Sequence, residues 1–370
     1  MATITRVELQ MVDLIPKVKR VDAIQSFVSQ ETPFVTIYDS DGAVGRGYSY
    51  TIGTGGPSVM ALLRHSLAPA LIGRDPDRIE GIWRDLLFMT HATAVGAITS
   101  LALAAIDTAL WDMRCRKAGL PLWKAAGGSR AHVPLYTTEG GWLHLETAAL
   151  VDDAVEMQAR GFRGSKIKIG CDHISEDAAR LAAVRAAVGD GYEIMTDANQ
   201  GFTLSEAIRR AQLLQEHGVG WFEEPLPGDD VGAHVELSRH CTVPIAVGES
   251  LYSVSQFKDY LQSGAASIVQ VDVARIGGIT PWLKVAHMAE AFNVMVCPHF
   301  LMELHLSLVC AVPNAKWLEY IPQLESITTE PMRIEDGYAV PSNAPGLGIH
   351  WDSAGISEKS LFSEIVTEGS

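Results

Sequence analysis

Three acids at even intervals constrain this chain more than anything else in it. Asp197 lies in EIMTDANQ, Glu223 in VGWFEEP and Glu249 in PIAVGES, each 26 residues from the next. Each closes a short apolar run and is followed by turn or capping residues, after which a helical pattern returns. A strand, an acid, a loop and a helix, repeated, describe consecutive βα units. In a parallel sheet the three acids share the carboxyl-terminal edge, where converging carboxylates repel one another unless a cation lies among them. The plainer alternative is that each acid caps the helix after it. That suffices for one acid, but three in register on successive strands point to a divalent-metal site. Oxygen ligands without His or Cys favour a hard cation, Mg²⁺, with Mn²⁺ able to substitute.

The 370 residues, 47% hydrophobic and 20% charged, accommodate two domains or one barrel with an attachment. From residue 133 on, eight strand candidates follow: 133–137, 164–169, 193–197, 220–223, 245–249, 267–272, 294–298 and 317–319. Helix-like stretches such as 175–188, 204–216, 253–263 and 280–291 separate them. This predicts a (β/α)-barrel, in outline shorter than the ~250 residues typical of the fold. The runner-up, an open doubly wound sheet, would carry a glycine-rich phosphate turn after its first strand, and Thr137-Thr138-Glu139-Gly140-Gly141 is not one. Ahead of the barrel, strands at 3–12, 33–38 and 44–50 and helices at 57–72, 76–89 and 95–118 form a separate α+β unit. Residues 15–30 read as a mobile polar loop. Past Glu319 a hairpin near 332–340 is expected to return to the first domain, and the chain from about 353 to fray. The expected division is 1–125, 126–320 and 321–370.

A net charge of −15 argues against a nucleic-acid or membrane surface as main partner, since either wants a basic face. Five scattered cysteines without a CxxC, no signal-peptide core in MATITRVELQ and no membrane-length apolar run set the expectation of a soluble, cytoplasmic protein.

Further chemistry lies on the other strands. In Ser165-Lys166-Ile167-Lys168 the lysines are two apart, so on a strand both ammonium groups face the same way, into the barrel. A neighbouring like charge and desolvation lower a lysine pKa, as a general base requires; the plainer role is to neutralise the acids. Asp272 ends strand six and His299 follows strand seven, within expected hydrogen-bonding reach. Such a pair fixes the imidazole tautomer and raises its pKa, although a lone histidine among 12 is as often structural. Glu319, ending strand eight, would donate to a substrate oxygen if kept protonated, or merely cap. Cys297 reads as an inert core thiol.

Together these features resemble the mandelate racemase subgroup of the enolase superfamily, over nearly the whole chain. IDTALWDMRCRKAGLPL and IGGIT also look like family segments. The resemblance implies an α/β fold: a (β/α)₇β TIM-like barrel with an N-terminal α+β capping domain. It makes Asp197, Glu223 and Glu249 the Mg²⁺ ligands and Lys168 one base, with Lys166 assisting and contacting the substrate carboxylate. His299, paired with Asp272, becomes the other acid/base, and Glu319 a hydrogen-bonding partner of that carboxylate. Such enzymes pair a Lys or His base with Mg²⁺ and pass through an enediolate.

The family's specificity positions fall here on residues 15–30, 48–56 and 138–142. They offer Lys17, Lys19, Arg20, Tyr48, Tyr50, Thr51, Glu139 and Trp142, of which Lys19, Tyr50 and Trp142 are the expected substrate contacts. That mix suits a polyhydroxylated acid, and GRGYSYTIGTGG resembles sugar-acid members. The expected function is dehydration of a sugar acid to a 2-keto-3-deoxy acid, by a chain that is also expected to form a homo-oligomer. Cycloisomerase of an anhydro-sugar acid and racemase or epimerase of a 2-hydroxy acid come next. A Schiff-base aldolase and a non-catalytic sugar-acid-binding protein are the rivals of different class.

Overall fold

The computed structural model describes residues 2–27 and 29–368. The N-terminal part is an antiparallel sheet backed by helices. Ile4–Asp13 pairs with Glu31–Asp39, which pairs with Val44–Tyr48. The long helix Ala97–Ala118 packs on Val44–Tyr48, and glycine makes the approach possible. A Cβ on Gly45 would stand 2.1 Å from the Ala109 carbonyl oxygen, and one on Gly47 2.3 Å from that of Ala105. The helix is buried along most of its length, as its all-round apolar sequence requires.

Eight short parallel strands form the barrel. Val133–Thr137, Gly164–Lys168, Glu193–Asp197, Phe222–Glu223, Ile245–Val247, Ile268–Val269 and Met295–Val296 run side by side in sequence order. Leu318–Tyr320 pairs back to Val133–Thr137, and a bridge from Val296 to Ala315 closes the ring. Each observed strand overlaps one of the eight candidates; two share its bounds, five are shorter, and the last, Leu318–Tyr320, is shifted by one residue. Helices such as Ile174–Val188, Leu204–Glu216 and Ile279–Ala291 cover the outside. Tyr136, Met195, Trp221, Ala246, Cys297 and Trp317 fill the interior beneath the strand ends, so the barrel is a packed core with chemistry only at its mouth. Burial pushes the Cys297 thiol up to about 12, as befits an inert core group.

Three local expectations change. Residues 15–30 contain a two-residue ribbon, Arg20–Val21 against Ser26–Phe27, folded over the barrel mouth; Val28, within that stretch, lies outside the described residues. The hairpin Arg333–Glu335 and Tyr338–Val340 pairs with barrel strand Val133–Thr137 instead of the capping sheet. Residues 353–367 form regular structure: Ser353–Glu358 is a helix, and Ser360–Thr367 becomes the edge strand beside Ile4–Asp13. Among the described residues no helix is long and apolar enough to cross a membrane.

Candidate active site and metal centre

At the barrel mouth Asp197, Glu223 and Glu249 converge from strands three to five. Each offers a carboxylate oxygen, these oxygens lie within 4.8 Å of one another, and all three residues are buried. The register explains this: Asp197 stands beside Glu223, and Glu223 beside Ala246, three residues short of Glu249. Glu249 Oε2 is buried without a hydrogen bond of good geometry, although His299 Nε2 lies 3.2 Å away. Oxygen-only donors at this spacing, one of them unsatisfied, fit a hard divalent ion such as Mg²⁺ or Mn²⁺.

The two lysines stand on the neighbouring strand with both ammonium groups facing the acids. Lys166 Nζ lies 2.8 Å from Glu223, 2.8 Å from Glu319 and 3.5 Å from Asp197. Lys168 Nζ pairs with Asp197 and donates to Asn199 Oδ1 at 2.8 Å. Desolvation would lower Lys168, but Asp197, Glu249 and Glu223 outweigh it and Lys166, so its pKa is raised, not lowered as the sequence suggested. Asp197 is the converse: burial pushes it up, while Lys168 and Lys166 bring it below the usual carboxylate range. Glu223 is pushed up to about 7 by burial and by Asp197.

Across the mouth, Asp272 Oδ2 lies 2.9 Å from His299 Nδ1. Burial disfavours the Asp272 carboxylate, yet the hydrogen bond and charge of His299, with Arg275, bring it down to about 2. His299 itself is raised, because Glu249 and the Asp272 hydrogen bond outweigh its desolvation. Glu319 accepts from Thr138 Oγ1 at 2.6 Å and from the Phe300 amide at 2.7 Å. It is buried, but Lys166 holds its pKa well below the ordinary range, in keeping with the two hydrogen bonds it accepts.

Backbone strain collects here. Asn199, Gln200, Glu224, Phe300 and Leu301 account for five of the seven non-glycine residues with positive φ among those described. They lie within three residues after Asp197, Glu223 and His299, at a place where strained backbone can aim functional side chains.

The cavity of about 100 Å³ between these groups is lined by Lys166, Lys168, Glu249, His299 and Glu319, with Trp142 in its wall. Lys168 Nζ lies 5.3 Å from the centre of the Trp142 ring. Two expected substrate contacts are placed otherwise. Tyr50 is buried behind the cavity and donates to Asp272 Oδ2 at 2.7 Å. Lys19 is exposed and outside the lining. Lys17 pairs with Glu325 and Arg20 with Glu139.

Sequence reasoning missed Arg275, which lines the cavity and donates to the Tyr50 hydroxyl at 3.0 Å and to the Glu249 carbonyl at 3.0 Å. The available signal was a cation three residues past Asp272, ahead of a glycine pair. Asn199, two residues past Asp197, and Asp22 of the capping loop were missed as well.

Residues 149–355 match the family model described as enolase C-terminal domain-like, and 6–127 that of the mandelate racemase / muconate lactonizing enzyme N-terminal domain. The chain is 36% identical to L-talarate/galactarate dehydratase of Salmonella typhimurium, over 84% of this chain and 78% of the relative. It is also 36% identical to 3,6-anhydro-alpha-L-galactonate cycloisomerase of Streptomyces coelicolor, over 86% and 88% respectively. The crystal structure of L-talarate dehydratase from Polaromonas sp. JS666, complexed with Mg and L-glucarate, superposes with a TM-score of 0.94. That likeness spans 99% of this chain and 100% of the other at 34% identity. Capping domain, barrel and these relatives lead to one conclusion: the chain belongs to the mandelate racemase / muconate lactonizing enzyme family of the enolase superfamily.

Proposed function

We propose that this chain is a Mg²⁺-dependent lyase that dehydrates a sugar acid to a 2-keto-3-deoxy acid, using Lys168 and the His299–Asp272 dyad as its proton-transfer groups. The observation that carries the reading is that Lys168 and His299 line one cavity from different strands, with Glu249 of the acid triad between them. The similarity to sugar-acid dehydratases supports the substrate class. A divalent cation held by Asp197, Glu223 and Glu249 would withdraw charge from a bound carboxylate and cancel the negative field that keeps Lys168 protonated.

The chain's own groups then have distinct tasks. Lys166, set between Glu223 and Glu319, offers its ammonium to the negative charge that gathers on the substrate carboxylate as the α-proton leaves. Lys168, steadied by Asn199, takes that proton. His299, its tautomer fixed by Asp272, gives a proton to the β-hydroxyl, which departs as water with the C–O electron pair. The enol left behind tautomerises to the keto acid. A Schiff-base mechanism would leave the converging carboxylates of Asp197, Glu223 and Glu249 without a task, which favours the lyase reading. A cytoplasmic, homo-oligomeric state belongs to the same reading; the scattered, unbridged cysteines support the compartment.

The test is a screen of mono- and diacid sugars with Mg²⁺ in D₂O, reading keto-acid formation and deuterium at Cα. Lys168→Ala and His299→Asn should each lower dehydration by about 10²–10⁴-fold. Deuterium at Cα should be lost in Lys168→Ala and largely kept in His299→Asn. Full turnover in both variants on every substrate would refute the assignment. Similarity to the cycloisomerase favours one second reading, ring opening with the β-oxygen retained. A product of unchanged mass would identify it.

A further inference from the structure

We infer that the substrate is a sugar monoacid whose far end carries hydroxyl groups, and that Asp22 of the capping loop selects against a second carboxylate there. This rests on the dehydratase reading and narrows its substrate class.

A diacid is held most firmly where each end meets a cation. The cavity lining contains Lys166, Lys168, Arg275 and His299, and each is already met by acid. Lys166 faces Glu223 and Glu319, Lys168 faces Asp197, Arg275 lies 3.3 Å from Glu249, and His299 sits between Asp272 and Glu249. Among the described residues the lining holds no further cation for a second carboxylate.

The loop over the mouth brings in an acid instead. Leu143 donates to the Val21 carbonyl at 3.0 Å, and Ala23 packs against Gly170 and Gly201 in the turns after strands two and three. Added Cβ atoms at those glycines would meet the Ala23 methyl at 3.2 and 3.1 Å, so the loop is seated closely. Asp22, 8% exposed, is thereby held in the lining, where burial raises its pKa above the usual carboxylate value while Lys168 and the Ile24 and Gln25 amides act the other way. Its Oδ1 accepts from the Ile24 and Gln25 amides, both at 2.8 Å, and no protein group donates to Oδ2 among the described residues. Gln25, Ile24 and Ile52 complete that wall. A hydroxyl can donate to the open oxygen, whereas a carboxylate placed there has no proton to donate and would set its own lone pairs against a second carboxyl group.

The experiment compares kcat/KM for aldonate and aldarate pairs of matched stereochemistry, gluconate with glucarate and galactonate with galactarate, at saturating Mg²⁺. The wild-type chain should favour the aldonate of its preferred pair by about tenfold or more. Asp22→Asn keeps the acceptor for the loop amides and removes the charge, so it should narrow the ratio mainly by raising aldarate turnover. A wild-type chain that takes the aldarate as well or better overturns the inference whether or not the variant folds. So does a variant in which both substrates change equally, since Asp22 would then act only through Lys168. If neither class is dehydrated or deuterated, the dehydratase reading itself fails and the inference falls with it.

Discussion

Tyr50 shows how much a single hydroxyl can organise. It donates to Asp272 and accepts from Arg275, joining a capping-domain residue to the His299 dyad and to Glu249. Tyr50→Phe removes one hydrogen bond to a buried carboxylate, a loss of about 1.5–3 kcal/mol where the acceptor is charged. The expected outcome is a fall of about tenfold or more in dehydration kcat, with Lys168-dependent α-deuteration largely kept. Equal losses in both reactions would show that Tyr50 supports the site as a whole and not the dyad. Its role was not legible beforehand, because a tyrosine at a specificity position looks the same whether its hydroxyl meets ligand or protein. The raised pKa of Lys168 and the lowered one of Glu319 were not legible for a related reason. Each depends on the sum of several buried neighbours, and a strand pattern identifies only the nearest.

At the scale of elements, the two family-like segments form a clasp between capping helix and barrel. Asp107 Oδ2 accepts from the Thr280 amide at 2.9 Å, and Trp111 Nε1 donates to Thr280 Oγ1 at 3.0 Å. Gly278, with φ of +120°, lies so close that an added Cβ would stand 2.4 Å from the Asp107 carboxylate. Burial outweighs the donated hydrogen bonds and pushes Asp107 up to about 7. Folded chain therefore holds a proton that unfolded chain has released, so this group's contribution is full below pH ~4. It fades as pH rises through about 7. The stability difference between wild type and Asp107→Asn should accordingly shift against the wild type from pH 5 to 8 in denaturant unfolding. A difference independent of pH would show that Asp107 keeps one charge state throughout.

The elements themselves were largely readable. Short buried parallel strands must be apolar runs, and their polar ends must lie at the barrel mouth, so acids, lysines and the Asp–His pair stood out. The hairpin near 332–340 was readable as a hairpin but not by partner, since the same alternation suits either sheet. The strand Ser360–Thr367 was missed because its pairing partner, Ile4–Asp13, lies at the other end of the chain.

For the molecule as a whole, the cavity belongs to both domains. The barrel supplies the acids and proton-transfer groups, while the capping loops supply Asp22, Ile24, Gln25 and Ile52. The cavity wall is thus drawn from two parts of the chain, and only the barrel part follows a period that sequence can reveal. The loop's side chains are aimed by contacts at Gly170, Gly201 and Leu143, which no local pattern announces. The proposed chemistry depends on one ion balancing three buried acids. The most direct test is turnover of the preferred sugar acid after exhaustive chelation, followed by back-titration with Mg²⁺ in the wild type and in Glu223→Gln. Activity should vanish on chelation and return with a single Mg²⁺ per chain in the wild type alone. Undiminished turnover in the stripped protein would contradict the account.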